Sequence, residues 1–81
     1  MDAMQFDALN KLKKLRKEKG FTLRALADAV GMLPTSLCRF EQGERIIAPE
    51  YLSAICNTLG LCKDEKADIL FAFGYMEAES T

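Results

Sequence analysis

The side chains best suited to binding chemistry in this 81-residue chain are its eleven lysines and arginines, and their distribution is uneven. Residues 1–45 carry nine of them against six acidic residues, a net charge of +3. Residues 46–81 carry two against six, a net charge of −4. Cationic side chains concentrated in one half of a small domain favour a polyanionic partner such as nucleic acid, although the net charge of the whole chain is −1.

Groups for catalysis or metal binding are scarce. The chain has no histidine, and its cysteines Cys38, Cys56 and Cys62 have spacings of 18 and 6, which fit neither a disulfide framework nor a zinc site. No nucleophile is paired with a base in the sequence. We therefore expect reduced cysteines with structural or incidental roles, no cofactor, no metal and no enzymatic activity.

The segment from Thr22 to Gly43 has the pattern of two short helices joined by a glycine turn. The first helix has apolar residues at i, i+3, i+4 and i+7, with Thr22 as its N-cap and Gly31 as its stop. The second helix begins with Pro34, which suits a first turn. The face of this helix that is expected to be exposed presents Pro34, Thr35, Cys38, Arg39 and Gln42.

Three further segments have the apolar periodicity of helices, at about residues 7–19, 49–60 and 63–74. Glycine ends each of them, and an acidic first turn supports the start of the last. The residues of the first segment expected to face the core are Phe6, Leu9, Leu12 and Leu15.

These features predict an all-α fold, a compact five-helix bundle, because no segment alternates with the period of a strand. We expect a single domain over residues 1–81, with a core over about 6–76 and a polar C-terminal tail at 77–81. No apolar run approaches the ~18–20 residues that span a bilayer, and the N-terminus is acidic where a signal peptide is basic. We therefore expect no membrane association and a cytoplasmic location.

Five pieces of the sequence resemble the phage-repressor and Cro type of helix-turn-helix domain, often called XRE-like. They are LKKLRKEKGFT, LADAVGM, SLCRFEQGER, LSAICNTLGL and DEKADILFAFGY, and the resemblance covers roughly Leu9 to Tyr75. It implies a lambda-repressor-like DNA-binding domain whose second and third helices read double-stranded DNA. It also implies a sequence-specific transcriptional regulator, which we expect to be a repressor that binds a palindromic operator as a homodimer.

The resemblance also implies where DNA is contacted. The start of the third helix enters the major groove, so Thr35 and Arg39 are the expected base readers, with Pro34 and Cys38 beside them. The lysines of the first helix fit a solvated face better than a DNA contact. The expected phosphate contacts are Thr22, Arg24, Gln42, Gly43 and Arg45.

Arg16 and Glu41 stand where the resemblance implies a structural ion pair between two helices. A partly buried, bidentate pair of this kind fixes orientation more than it adds net stability, because desolvation cancels much of the attraction. The alternative is that both residues are ordinary surface charges. In neither case do we expect them to contact DNA.

Several positions depart from the family pattern towards apolar residues. Leu23, Leu33 and Pro34 stand where polar residues are common, Ile46 and Ile47 occupy a loop where proline is usual, and Phe71 replaces a polar residue on the last helix. Such residues form either an interface or local packing. The expected dimer interface consists of Phe71, Tyr75 and Met76.

The apolar character of the reading face keeps a second function open. A face with few hydrogen-bond donors contacts thymine methyl groups or another protein. The alternative is therefore a helix-turn-helix scaffold with weak or no DNA binding that binds a protein partner, as an antirepressor or an antitoxin partner does. The basic first half of the chain favours DNA.

Overall fold

A computed structural model describes residues 2–75, and within this range the chain forms five helices and no strand. The all-α prediction is therefore confirmed for these residues, while Met76 and the tail at 77–81 lie outside them. The helices are α1 (Ala3–Glu18), α2 (Leu23–Val30), α3 (Pro34–Glu41), α4 (Pro49–Thr58) and α5 (Lys63–Ala72).

Local sequence signals set the ends of α2 and the start of α3. Thr22 caps α2, and its Oγ1 accepts a hydrogen bond from the backbone N–H of Ala25 at 3.0 Å. Gly31 follows the helix with φ of 77°, a left-handed conformation that glycine adopts without a Cβ clash. Pro34 begins α3, at a position where a backbone N–H would have no acceptor within the helix, so the N–H that proline lacks costs no hydrogen bond. The predicted helix, turn and helix are confirmed.

The start of α1 differs from the prediction. The helix begins at Ala3, four residues before Asp7, because Asp2 and Gln5 form a capping box. Asp2 Oδ1 accepts from the backbone N–H of Gln5 at 2.9 Å, and Gln5 Oε1 accepts from that of Asp2 at 3.1 Å. The expectation that Phe6 faces the core is also wrong, since Phe6 is 42% exposed and the buried residues of α1 include Ala8 instead.

Apolar side chains from all five helices, together with Ile47 of the α3–α4 loop, form one core. α2 packs against α3 and α4, while α1 packs against α3 and α5. Phe40 on the inner face of α3 lies against Phe73 after α5, with ring centroids 5.5 Å apart. The inner face of α3 is therefore fixed by the core, which leaves its outer face at the surface. None of the helices within residues 2–75 has the length and apolarity of a membrane span.

Candidate nucleic-acid interface

The outer face of α3 presents Thr35 and Arg39 to solvent. These residues are four positions apart, so they lie one turn apart on the same side of the helix. Pro34 and Cys38 flank them and are half-buried. On the opposite face Leu37 is 1% exposed, which holds the helix in the core. The four predicted base readers therefore lie together on one helical face.

The start of α2 is a second candidate contact. The backbone N–H groups of Leu23 and Arg24 are in the first turn, where an α-helix provides no internal acceptor. Arg24 is exposed beside them. Thr22 uses its hydroxyl oxygen as an acceptor in the cap, so the hydroxyl hydrogen remains available for a phosphate oxygen. The partial positive charge at this helix end favours an anion.

The loop after α3 is a third candidate contact. The backbone N–H of Gly43 donates to the Phe40 carbonyl at 3.0 Å, and φ of Gly43 is 80°. Because this N–H already has an acceptor within the chain, the backbone of Gly43 is not a free donor for a phosphate. Gln42 and Arg45 are exposed, and Arg45 Nη1 lies 3.5 Å from Ser36 Oγ, which brings its guanidinium beside α3.

Arg16 and Glu41 form a buried bidentate pair between α1 and the end of α3. Arg16 Nε donates to Glu41 Oε2 at 2.7 Å and Nη2 donates to Oε1 at 3.0 Å, with side-chain exposures of 9% and 7%. Arg16 Nη1 also donates to the carbonyl of Phe21 at 2.9 Å, in the turn between α1 and α2. One guanidinium therefore fixes the start of α2 and the end of α3 relative to α1.

Four of the six apolar departures from the family pattern divide into two groups. Leu23 packs against the core and Ile47 is 6% exposed, so these two residues serve local packing. Leu33 is 71% exposed and Ile46 is 51% exposed, so they remain surface residues beside α3. The sequence does not distinguish Ile46 from Ile47, because a loop has no periodicity that assigns one to the core.

The residues predicted for the dimer interface are not equivalent in the structure. Phe71 on α5 is 61% exposed. Tyr75 is half-buried, and its hydroxyl donates to the carbonyl of Ile47 at 2.8 Å, so it stabilises the chain's own α3–α4 loop. Met76 lies outside the described residues. The sequence pattern does not single out Met4 on α1. It is 54% exposed and shares a shallow groove with Phe71.

The ionisable groups with displaced pKa values lie away from α2 and α3. Burial raises the pKa of the Cys56 thiol on α4 from its ordinary 9.0 to about 11. The backbone N–H of Cys62 donates to Glu65 at the start of α5 and lowers the pKa of that carboxyl. Residues 2–75 contain no cluster of three or more acidic or cysteine side chains placed to hold a metal ion.

Comparison with known proteins identifies the family. A family model described as helix-turn-helix (HTH_3) matches residues 12–65, which is more than half of the 81-residue chain. The match extends from α1 to the first turn of α5, so it includes the α2–α3 unit and the Arg16–Glu41 pair. No curated protein and no solved structure matches the chain significantly. The chain belongs to the XRE-type helix-turn-helix family of DNA-binding regulators.

Proposed function

We propose that this regulator binds a specific DNA sequence and acts as a repressor. The observation that carries the proposal is the exposed row of Thr35 and Arg39 on a helix whose opposite face is fixed in the core. Arginine donates two hydrogen bonds to O6 and N7 of guanine, the commonest specific contact in the major groove. A rigid helix that carries this side chain reads a base with a defined geometry.

In the proposed complex, the N-terminal half of α3 lies in the major groove. Arg39 reads guanine, and Thr35 donates to or accepts from a neighbouring base edge. Pro34 and Cys38 contribute apolar contact, for which the thymine methyl group is the available partner. Arg39 is the one long polar side chain among these four residues, so much of the discrimination between sites depends on it.

Phosphate contacts on both sides of the groove hold α3 in register. On one side are Arg24, the hydroxyl of Thr22 and the free N–H groups at the start of α2. On the other side are Gln42 and Arg45, with Gly43 allowing close approach. These contacts are independent of sequence and supply affinity rather than discrimination.

The first test is the salt dependence of binding to genomic DNA fragments. Each arginine that neutralises a phosphate makes the slope of log affinity against log salt concentration more negative by about 0.9. Arg24 and Arg45 on both subunits of a dimer therefore predict a slope of about −4, and a loss of roughly 100-fold between about 50 and 200 mM salt. Fluorescence anisotropy measures this slope. A flat salt response, or no binding at the lowest salt, would rule out the proposal.

We propose a homodimer that places two α3 helices about 34 Å apart, one turn of DNA, on a palindromic operator. The contact is assigned to Phe71 on α5, with Met4 on α1 beside it, because both are large, apolar and exposed in one groove. Asp68 and Lys11 line the same groove and give it a polar rim. A dimer bound over a promoter represses by excluding polymerase.

Phe71→Glu is expected to shift the protein from dimer to monomer, because it places two carboxylates in an apolar contact around the dimer axis. Sedimentation equilibrium measures the mass distribution. Phe6→Glu is the matched control, since Phe6 is also an exposed aromatic residue but does not line the groove. An unchanged mass distribution in Phe71→Glu would remove this interface.

A second candidate function is favoured by the exposure of Leu33 and Ile46 beside α3. In this function the helix-turn-helix unit is a scaffold that binds another protein, as an antirepressor or antitoxin partner. Such a scaffold has weak or no affinity for DNA. The salt experiment therefore separates the two functions, because only the regulator binds DNA fragments at low salt.

A further inference from the structure

A groove whose lining residues are mostly apolar lies next to the proposed DNA-reading face, between the α2–α3 turn and the α3–α4 loop. Its volume is about 300 Å³. We call it the Leu33 groove, and the lining residues that matter for its chemistry are Met32, Leu33, Ser36, Arg45, Ile46 and Tyr51.

Half of the large exposed hydrophobic residues that the structure describes line this groove. Within residues 2–75, six large hydrophobic residues are exposed, and three of them, Leu33, Ile46 and Tyr51, line the Leu33 groove. Their exposed fractions are 71%, 51% and 40%. The phosphate groups of DNA offer such side chains no apolar contact. Contiguous apolar surface of this kind in a small domain is typical of a protein-binding site.

The charge of the groove indicates what it binds. Among the described residues that line the groove, Arg45 is the only charged one. Its Nη1 lies 3.5 Å from Ser36 Oγ, a long hydrogen bond, and within residues 2–75 it forms no ion pair. A groove that combines exposed apolar side chains with a single guanidinium is complementary to a peptide that carries an apolar side chain close to a carboxylate.

We propose that the Leu33 groove binds a partner protein through a short segment whose apolar side chain fills the groove and whose carboxylate pairs with Arg45. Binding of this segment excludes DNA, a consequence that rests on the proposed DNA-binding function. Arg45 cannot pair with a phosphate and a carboxylate in the same geometry, and Leu33 directly precedes the α3 residues that enter the major groove. The partner thereby releases the regulator from its operator.

Selection of random peptides displayed on phage tests the groove. Peptides are selected on the wild-type protein and depleted on Ile46→Asp, and enriched sequences are made synthetically. We expect an aliphatic or aromatic residue near Asp or Glu, and affinities that fall about tenfold or more in Ile46→Asp and in Arg45→Gln. Both replaced side chains are exposed, and circular dichroism checks the fold. Phe6→Asp, which alters an exposed residue outside the groove, is expected to bind normally.

Other outcomes would overturn the proposal. If the selected peptides bind Ile46→Asp as tightly as they bind the wild-type protein, their binding site lies outside the groove. A lower sedimentation mass for Ile46→Asp would show that a second copy covers the groove. If Leu33→Ala weakens binding to thymine-containing DNA but not to the same DNA with uracil, Leu33 reads a methyl group instead.

Further measurements distinguish a failure of the groove proposal from a failure of the proposed DNA-binding function. The selected peptide is expected to displace bound genomic DNA in a competition experiment, and simultaneous binding of both would overturn the exclusion. Peptide binding by a protein that binds no DNA supports the groove and overturns the proposed function. DNA binding without any selected peptide overturns the groove alone.

Discussion

Replacing Glu41 with alanine is expected to lower the free energy of unfolding by about 3–5 kcal/mol, because it leaves the buried Arg16 guanidinium without its carboxylate. Within residues 2–75, the Arg16 guanidinium then keeps the hydrogen bond that its Nη1 donates to the Phe21 carbonyl. A domain of this size has a total stability of about 4–12 kcal/mol, so the loss is a large share of it. Urea unfolding followed by circular dichroism measures the change.

Two variants make this experiment specific. Lys11→Ala removes the exposed Lys11–Glu65 pair, whose N···O distance is 3.7 Å, and is expected to change the free energy of unfolding far less than Glu41→Ala, because water screens an exposed pair. The double replacement Arg16→Met and Glu41→Leu is expected to recover most of the stability, because an apolar pair leaves no buried charge unpaired. A loss below about 1 kcal/mol in Glu41→Ala would contradict the structural role of the pair.

Arg39→Ala is expected to lose discrimination between DNA sites. Removal of a bidentate contact to guanine costs about 1–3 kcal/mol, roughly a 5- to 150-fold loss of affinity at each preferred half-site. Binding to unrelated sequences changes little, because phosphate contacts carry that affinity. Anisotropy titrations of preferred and scrambled duplexes measure both quantities.

Arg45→Ala is the matched arginine control for this experiment. It is expected to weaken all duplexes alike and to reduce the magnitude of the salt slope by about 1 per phosphate contact removed. The two arginines therefore differ in the pattern of loss rather than in its size. An equal loss on every duplex from both variants would show that Arg39 does not read bases.

Much of the fold follows from local sequence signals. Apolar periodicity assigns inner and outer faces, so the burial of Leu37 and the exposure of Arg39 on α3 are predictable from their spacing. Caps and stops such as Thr22 and Gly31 fix helix ends. Apolar periodicity does not predict the early start of α1, because that start depends on the hydrogen bonds of the Asp2 capping box.

The surface around the site is less predictable, because it depends on contacts between distant segments. Tyr75 reaches the carbonyl of Ile47, 28 positions away, and no local pattern encodes that bond. The Leu33 groove likewise joins the α2–α3 turn, Ile46 of a loop and Tyr51 of α4. The sequence marks Leu33 and Ile46 as apolar departures from the family pattern but does not mark Tyr51, and only the folded chain places the three together.

In the proposed function, α3 reads a specific DNA sequence as part of a dimer. Selection of bound sequences from a random DNA pool, with the whole chain at low salt, tests it most directly. We predict enrichment of a palindrome with a guanine in each half-site, the two half-sites lying about 10 base pairs apart, and loss of the guanine preference in Arg39→Ala. A pool that shows no enriched sequence, from a protein that is folded, would contradict the account.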